Sequence, residues 1–277
     1  SHPPLGKVLI AFSISIFGMT PFGWRFAGAL AGVLMLPGMY LLGKLLTKRR
    51  MGAFAAMFLM AVDCMHFTQT RIATIDSFVV LFIIWSYVFM VYYLRMDYWR
   101  KPLIKTLIPL ALSGLFMGLA VASKWTGCYA GVGLAVLFFY GIYRRARACR
   151  EAKALWKAAP APVKGGSGET ALDAVTLTAA NEGVRRLLLT VASCLIFFVL
   201  VPGVIYYCSY IPYFASSGGV SIKRIIKAAE GMLAYHSTPG LGMDHAFYSP
   251  WYEWPLSIKP MYYAADAYEP AGYASSI

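Results

Sequence analysis

Apolar residues in this chain form long runs separated by short polar segments. A helix needs about 20 residues to cross roughly 30 Å of hydrocarbon. Only helices and closed barrels satisfy their backbone groups in lipid, and these runs lack the strict alternation of barrel strands. We therefore predict an all-α polytopic membrane protein, a transmembrane helical bundle with an external loop region. The runs predict six transmembrane helices, at 26–46, 51–69, 77–94, 105–123, 126–143 and 187–207.

A seventh apolar run, 8–22, is shorter and is broken by Gly18 and Pro21. If it crossed the membrane fully, His2 and Arg25 would fall on opposite faces. We therefore expect a short, tilted or partial insertion, because these two residues belong with the same external face in the arrangement below.

The charge of the chain is distributed as expected for cytoplasmic loops. Charged residues make up 13% of the 277 residues, against about 25% in average soluble domains. The net charge is +13, but 17 of the 25 lysines and arginines lie in three clusters, at 44–50, 95–105 and 144–186. The positive-inside rule places such clusters on the cytoplasmic side. This explains the charge without a nucleic-acid partner, and the six helices then alternate correctly between the two faces.

Composition also divides the chain into segments. Residues 1–150 hold most of the predicted helices and the external edges of a candidate site. Residues 151–186, rich in Ala, Pro, Gly and Ser, are predicted to be a mobile cytoplasmic linker. A transmembrane helix follows at 187–207. Residues 208–277 are aromatic and rich in Pro and Gly, and we expect an external, extracytoplasmic loop region lying over the bundle.

The five cysteines predict neither a disulfide framework nor a zinc site. They form no CxxC pair and no metal-ligand spacing. Cysteines beside apolar runs behave as small hydrophobic residues.

Cations at predicted external helix ends are the first candidates for chemistry. Arg71 and Asp76 stand five residues apart just before a long apolar helix, and Lys124 and Arg25 each adjoin a tryptophan. Charged side chains within the membrane carry a high free-energy cost, and they usually face a polar cavity. Two simpler interpretations stay open: an Arg71–Asp76 pair that fixes a helix end, and a lysine that reaches the headgroups. Together, the three cations could hold an anionic group such as a lipid phosphate.

The C-terminal region offers a second candidate pocket. A His–Asp–Ser triad is conceivable there, but no nucleophile motif supports it. A polar pocket is the favoured interpretation, with tryptophan faces for a sugar or prenyl chain, and an interfacial aromatic belt is the alternative. The candidate residues are His236, His245, Trp251 and Trp254.

Five segments carry a resemblance to a known family. They are "HPPLGK", "PFGWRFAGALAG", "QTRIATIDS", "ASKWTG" and "YHSTPGLGMDHAFYSPWYEWPL", in this order. Their combination resembles the protein O-mannosyltransferase family, dolichyl- or polyprenyl-phosphate-mannose–protein mannosyltransferases of the membrane-embedded GT-C class. The resemblance covers most of the chain except 151–186.

The resemblance implies an inverting transfer of mannose from a polyprenyl-phosphate donor to Ser or Thr of an acceptor protein at the outer face of a membrane. It implies that Arg71 belongs to the donor phosphate or sugar site and that Asp76 supports it. Lys7, Arg25 and Lys124 are further phosphate candidates, and His2, His236 and His245 are expected to shape the pocket. Membrane lipid is the other expected partner.

The resemblance also implies that the catalytic residue, an Asp or Glu, lies in an external loop upstream of Ser1. The first transmembrane helix and several C-terminal helices are expected outside this chain as well. We therefore expect residues 1–277 alone to lack transferase activity. No cofactor is predicted, and the need for a divalent metal is left open.

Two alternatives stay open at this point. One is a lipid-linked sugar transferase that acts on lipid A or another glycan. The HPPLGK sequence and the tryptophan-rich loop disfavour this alternative. The other is a non-enzymatic protein, either a transporter or flippase or a membrane partner. Transporters favour inverted repeats and midplane ion sites, and the sequence shows neither. We expect a multi-pass protein of a bacterial cell membrane, with its site on the external face.

Overall fold

Helices form nearly all of the regular structure. The computed structural model describes residues 2–158, 174–238, 250, 252, 253 and 258, and these contain no strand, so the predicted all-α class is confirmed over them. A π-helical turn, Ile196–Leu200, joins the eighth helix to the ninth, and a short 3₁₀ turn, Ala215–Ser217, follows the ninth. The helices are α1 (Leu5–Phe17), α2 (Pro21–Thr47), α3 (Arg50–Val62), α4 (Cys64–Gln69), α5 (Asp76–Arg95), α6 (Leu103–Ser123), α7 (Gly127–Ala158), α8 (Ala174–Leu195), α9 (Val201–Tyr213) and α10 (Ile222–His236).

Among the described residues, five helical segments are long and apolar enough to cross a membrane. They are α2, α5, α6, α7 and the continuous segment Ala174–Tyr213 that contains α8 and α9. α2 begins five residues before its predicted start, because the Thr20 side chain accepts a hydrogen bond from the Gly23 N–H and Pro21 occupies the first helical position.

The predicted single helix at 51–69 is wrong. α3 ends at Val62, and the backbone of Asp63 is extended. The Asp63 carboxylate then accepts a hydrogen bond from the Met65 N–H and caps the short helix α4. With 13 residues, α3 is about 20 Å long, which is too short to cross alone.

α3 and α4 together nevertheless return the chain along α2. A Cβ placed on Gly43, near the end of α2, would lie 3.0 Å from the Ala53 Cα in α3. A Cβ placed on Gly32, nearer the start of α2, would lie 2.8 Å from the side chain of Thr70. Small residues allow such close helix approach in membrane proteins. The chain thus comes back to the end of the bundle at which α2 begins, so α5 starts there too.

α1 is a short helix attached to that same end. Its 13 residues do not form one of the candidate spans. A Cβ placed on Gly6 would lie 2.8 Å from the Ile75 Cβ, and the Ser13 hydroxyl donates a 2.6 Å hydrogen bond to the Gly23 carbonyl. Since Ile75 precedes α5 and Gly23 begins α2, both parts of α1 contact the same end of the bundle. The partial membrane insertion expected for 8–22 stays a prediction.

The predicted linker, 151–186, is helical wherever it is described. α7 continues through Ala158 and α8 begins at Ala174, and these ends pack together through the buried residues Ala152, Ala179 and Ala180. The alanine-rich composition that suggested a linker is equally suited to close helix packing. Residues 151–158 and 174–186 are therefore packed helix ends, and a cytoplasmic linker between two groups of helices stays a prediction.

The predicted boundary at 207 also shifts. α9 continues to Tyr213, and the segment predicted to be external contains the amphipathic helix α10. Among the described residues, 2–225 belong to one compact unit and those from 226 onward to a second.

Candidate functional site

An ion pair marks the end of the bundle at which α5 begins and α6 ends. The Lys124 Nζ lies 2.7 Å from a carboxylate oxygen of Asp76. The Lys124 side chain is 24% exposed and that of Asp76 is 49% exposed, so the pair is accessible from one side. A half-buried ion pair of this kind is open to solvent, yet dissolved salt screens its charges less than it screens those of a pair on an open surface.

The charges of Asp76 and Lys124 each lie at a helix end whose dipole stabilises a charge of that sign. Asp76 is the first residue of α5, and its N–H donates to the Thr74 hydroxyl at 3.1 Å. Lys124 caps α6, and its N–H donates to the Ala120 carbonyl at 2.9 Å. The helix dipole stabilises a carboxylate at a first turn and a cation at a last turn. The two side chains therefore face each other, each at a helix end whose dipole favours its charge.

The C-terminal half of α9 lies beside this pair. The Trp125 indole N–H donates to the Tyr206 hydroxyl at 3.3 Å, and the Tyr206 and Tyr210 hydroxyls are 3.3 Å apart. Tyr210 is buried. Sequence reasoning did not select these two tyrosines. Their spacing of four residues, on one face of a helix end, is the signal that could have identified them.

The N-terminal HPPLGK stretch also lies at this end. Pro3 and Pro4 are fully buried, and Gly6 packs against Ile75, the residue before Asp76. His2 is half-buried, whereas Lys7 is exposed. The stretch thus begins α1 beside the Asp76–Lys124 pair, although the sequence alone places them more than 65 residues apart.

Arg71 and Arg25 are exposed at the same end but contact their own neighbours. The Arg71 guanidinium lies 4.8 Å from the Phe67 ring centroid, and the Arg25 guanidinium lies 4.5 Å from the Trp24 ring. Within the described part of the chain, neither arginine belongs to an ion pair. The interpretation in which Arg71 pairs with Asp76 is therefore wrong, because Lys124 occupies that carboxylate.

The remaining predicted site residues lie in the second unit or outside the described residues. His236 is the last residue of α10 and belongs to the second unit, where its ring contacts Tyr235 at a centroid distance of 5.2 Å. His245, Trp251 and Trp254 lie outside the described residues. Within the described ranges, no group of three or more His, Cys, Asp or Glu side chains comes together as a metal site.

A lysine held beside a carboxylate, with exposed cations nearby, can bind an anionic group. A model of the dolichyl-phosphate-mannose-protein mannosyltransferase family matches residues 1–159, more than half of the chain. The chain belongs to this family. The matched part includes the Asp76–Lys124 pair and all of α1 to α7.

Three curated relatives are similar to this chain over different shares of its length. A polyprenol-phosphate-mannose–protein mannosyltransferase of Mycobacterium tuberculosis strain H37Rv is 26% identical over 98% of this chain and 53% of its own length. Its namesake from Mycolicibacterium smegmatis strain ATCC 700084 is 27% identical over 96% and 53%. A Corynebacterium glutamicum protein of the same name is 29% identical over 52% and 32%.

The chain spans about half the length of these mycobacterial relatives. No solved structure matches it significantly. Family membership and the apolar helices together make it part of a multi-pass membrane protein.

Proposed function

We propose that the full-length protein transfers mannose from a polyprenyl-phosphate-mannose donor to Ser or Thr of proteins, with inversion. The observation that carries this proposal is the accessible Asp76–Lys124 pair beside the HPPLGK stretch. The names of the mycobacterial relatives support a protein acceptor over lipid A or another glycan, and a transferase over a transporter.

In this reaction the acceptor hydroxyl oxygen attacks the anomeric carbon of the mannose. A carboxylate takes the hydroxyl proton, the bond from the anomeric carbon to the phosphate oxygen breaks, and polyprenyl phosphate leaves. The resemblance implies that the carboxylate lies in the segment preceding the HPPLGK stretch. Proton abstraction by a positioned base typically contributes about 10²–10⁴-fold.

Lys124 is proposed to stabilise the charge that develops on the leaving phosphate. Its ammonium group is a compact charge on a flexible stem, so it can exchange the Asp76 carboxylate for a phosphate oxygen without movement of α6. Asp76 keeps the ammonium positioned when no donor is bound. Preorganised charges of this kind are usually the largest catalytic contribution.

The other candidate residues complete the proposed donor and acceptor site. Lys7, Arg25 and Arg71 are exposed cations at the same end of the bundle as the pair, and we propose that they bind the donor phosphate or sugar. The pocket residues are proposed to be His2, His236, His245, Trp251 and Trp254. We propose that this end lies at the external face of a bacterial cell membrane; the external orientation is supported by the positive-inside rule, since the basic clusters then face the cytoplasm.

The proposal is tested with the full-length protein, polyprenyl-phosphate-mannose and a Ser/Thr peptide. We expect mannosyl-peptide to form, and Arg71→Ala to lower its rate by roughly 10- to 100-fold, the cost of losing a charged hydrogen bond. His245→Ala is assayed in parallel for a role in the pocket.

Lys105→Gln is the matched control, because this exposed lysine lies at the opposite end of α6. It removes one positive charge and should leave the rate unchanged. Full activity of Arg71→Ala would remove Arg71 from the site, and the absence of any transfer to peptide by wild type would contradict the proposed function.

A further inference from the structure

A cavity of about 490 Å³ opens between α2 and α5, far from the Asp76–Lys124 pair. Its wall is mainly apolar and includes Leu45, Trp85 and Phe89, and its rim carries three cations. These are Lys44, Lys48 and Arg95. Asp76 and Arg95 are the first and last residues of the 20-residue helix α5, which separates them by roughly 28 Å.

Contacts on both sides of the cavity fix the two helices that form it. Toward the start of the helices, the Trp85 indole N–H donates to the Leu34 carbonyl at 3.1 Å, and a Cβ on Gly38 would lie 2.8 Å from the Ile84 side chain. Toward their ends, the Arg95 guanidinium donates to the Leu46 carbonyl at 3.2 Å. The cavity is therefore a feature of the α2–α5 packing.

Aromatic packing makes one wall of the cavity rigid. The rings of Trp85 and Phe89 are 5.8 Å apart, and both stack on Phe116 of α6 at 6.2 and 5.6 Å. A wall of this kind presents a flat apolar surface at a depth where α2 and α5 are membrane-spanning helices. An acyl chain fits such a surface, because it gains dispersion contacts without losing hydrogen bonds.

The charges at the rim are unbalanced. Among the described residues, no carboxylate lines the cavity and none of the three cations belongs to an ion pair. Asp97, close to Arg95 in sequence, pairs instead with Arg100 at 3.3 Å. An occupant that complements this cavity carries a negative head group and an apolar tail.

We propose that the cavity binds one anionic phospholipid, with its phosphate on Lys44, Lys48 and Arg95 and an acyl chain along Trp85 and Phe89. The rim belongs to two of the basic clusters that the positive-inside rule places at the cytoplasmic leaflet, where anionic lipids concentrate. The bound lipid bridges α2 and α5 and stabilises the bundle. The proposal is independent of the proposed transferase reaction.

The test measures lipid binding by the purified full-length protein in a neutral detergent. Dioleoyl phosphatidylglycerol should raise the thermal unfolding midpoint and remain bound in native mass spectrometry, whereas dioleoyl phosphatidylcholine and inorganic phosphate should do neither. The double variant Lys44→Gln/Lys48→Asn should bind phosphatidylglycerol about 30-fold more weakly, from two cation contacts. Asparagine is chosen because the Lys48 backbone is left-handed (φ 60°), a conformation that asparagine tolerates.

The matched control is Arg49→Gln/Arg50→Gln. It removes the same charge from the same cluster at exposed residues that do not line the cavity, and it should bind phosphatidylglycerol like wild type. Equal weakening in both double variants would overturn the proposal in favour of diffuse surface attraction. Binding of inorganic phosphate or phosphatidylcholine as tight as that of phosphatidylglycerol would overturn it too.

The position of the acyl chain is measured by quenching of tryptophan fluorescence with phosphatidylglycerol brominated on its acyl chains. Quenching should be smaller in Trp85→Phe than in wild type, because Trp85 is the tryptophan at the cavity. The quenching that Trp85 contributes should also be lost in Lys44→Gln/Lys48→Asn, which binds the lipid more weakly. Identical quenching in wild type and Trp85→Phe would show that no chain lies in the cavity.

Discussion

Lys124→Met in the full-length protein should lower kcat/KM for mannose transfer by about 10²–10³, the usual cost of losing one preorganised group that stabilises developing charge. The reason is that Lys124 is held at the Asp76 carboxylate with its side chain 24% exposed, so it is already oriented and partly shielded from solvent. Methionine keeps most of the side-chain volume and removes the charge. The measurement is steady-state transfer to a Ser/Thr peptide.

Lys124→Arg and Asp76→Asn separate phosphate binding from a purely structural ion pair. Arginine also binds phosphate, so Lys124→Arg should retain more activity than Lys124→Met. Asp76→Asn should have the smaller effect, since it frees the ammonium group without removing it. If the pair only joins α5 to α6, Asp76→Asn and Lys124→Met would lower the thermal midpoint and the activity equally, which would contradict the proposed role of Lys124.

Gly114→Ala should destabilise the bundle by about 1–3 kcal/mol, the usual cost of overpacking. Gly114 of α6 faces the π-helical turn, and a Cβ there would lie 2.7 Å from the Phe197 carbonyl carbon and would also meet its oxygen. Backbone atoms cannot move aside as a flexible side chain can, so α6 must shift away from the π-helical turn. The measurement is the thermal unfolding midpoint of the full-length protein in detergent.

Gly203→Ala is the matched control for this prediction. Gly203 lies in α9, and no atom comes within 4 Å of a Cβ placed on it. Alanine should therefore stabilise α9 by up to about 1 kcal/mol through its higher helix propensity. An equal loss of stability in both variants would contradict the packing assigned to Gly114.

Helix interruptions and lengths were the least predictable part of the fold. The run at 51–69 is continuously apolar apart from Asp63 and the polar residues after it, and hydropathy alone does not reveal that this carboxylate caps a new helix. Composition likewise indicated a linker at 151–186. Only the packing of Ala152 against α8 shows that the alanines there serve a helix interface.

Candidate site residues could be recognised from sequence, but their partners could not. The resemblance singled out Lys124, Asp76 and Arg71, and spacing suggested that the last two interact. The ion pair instead joins residues 48 positions apart in sequence. Tyr206 was not among the predicted site residues, because its contact with Trp125 exists only when α9 lies beside the end of α6.

The sequence by itself determined the all-α membrane class, most of the spanning helices and the family, because the length of an apolar run, local charge and short motifs are properties of neighbouring residues. The tertiary structure decided which helices touch, and with that the pairing of Lys124 with Asp76 and the cavity between Lys44 and Arg95. Those outcomes depend on where small residues allow two helices to approach, as at Gly38 and Gly114. Such contacts join residues far apart in the chain, so no local pattern encodes them.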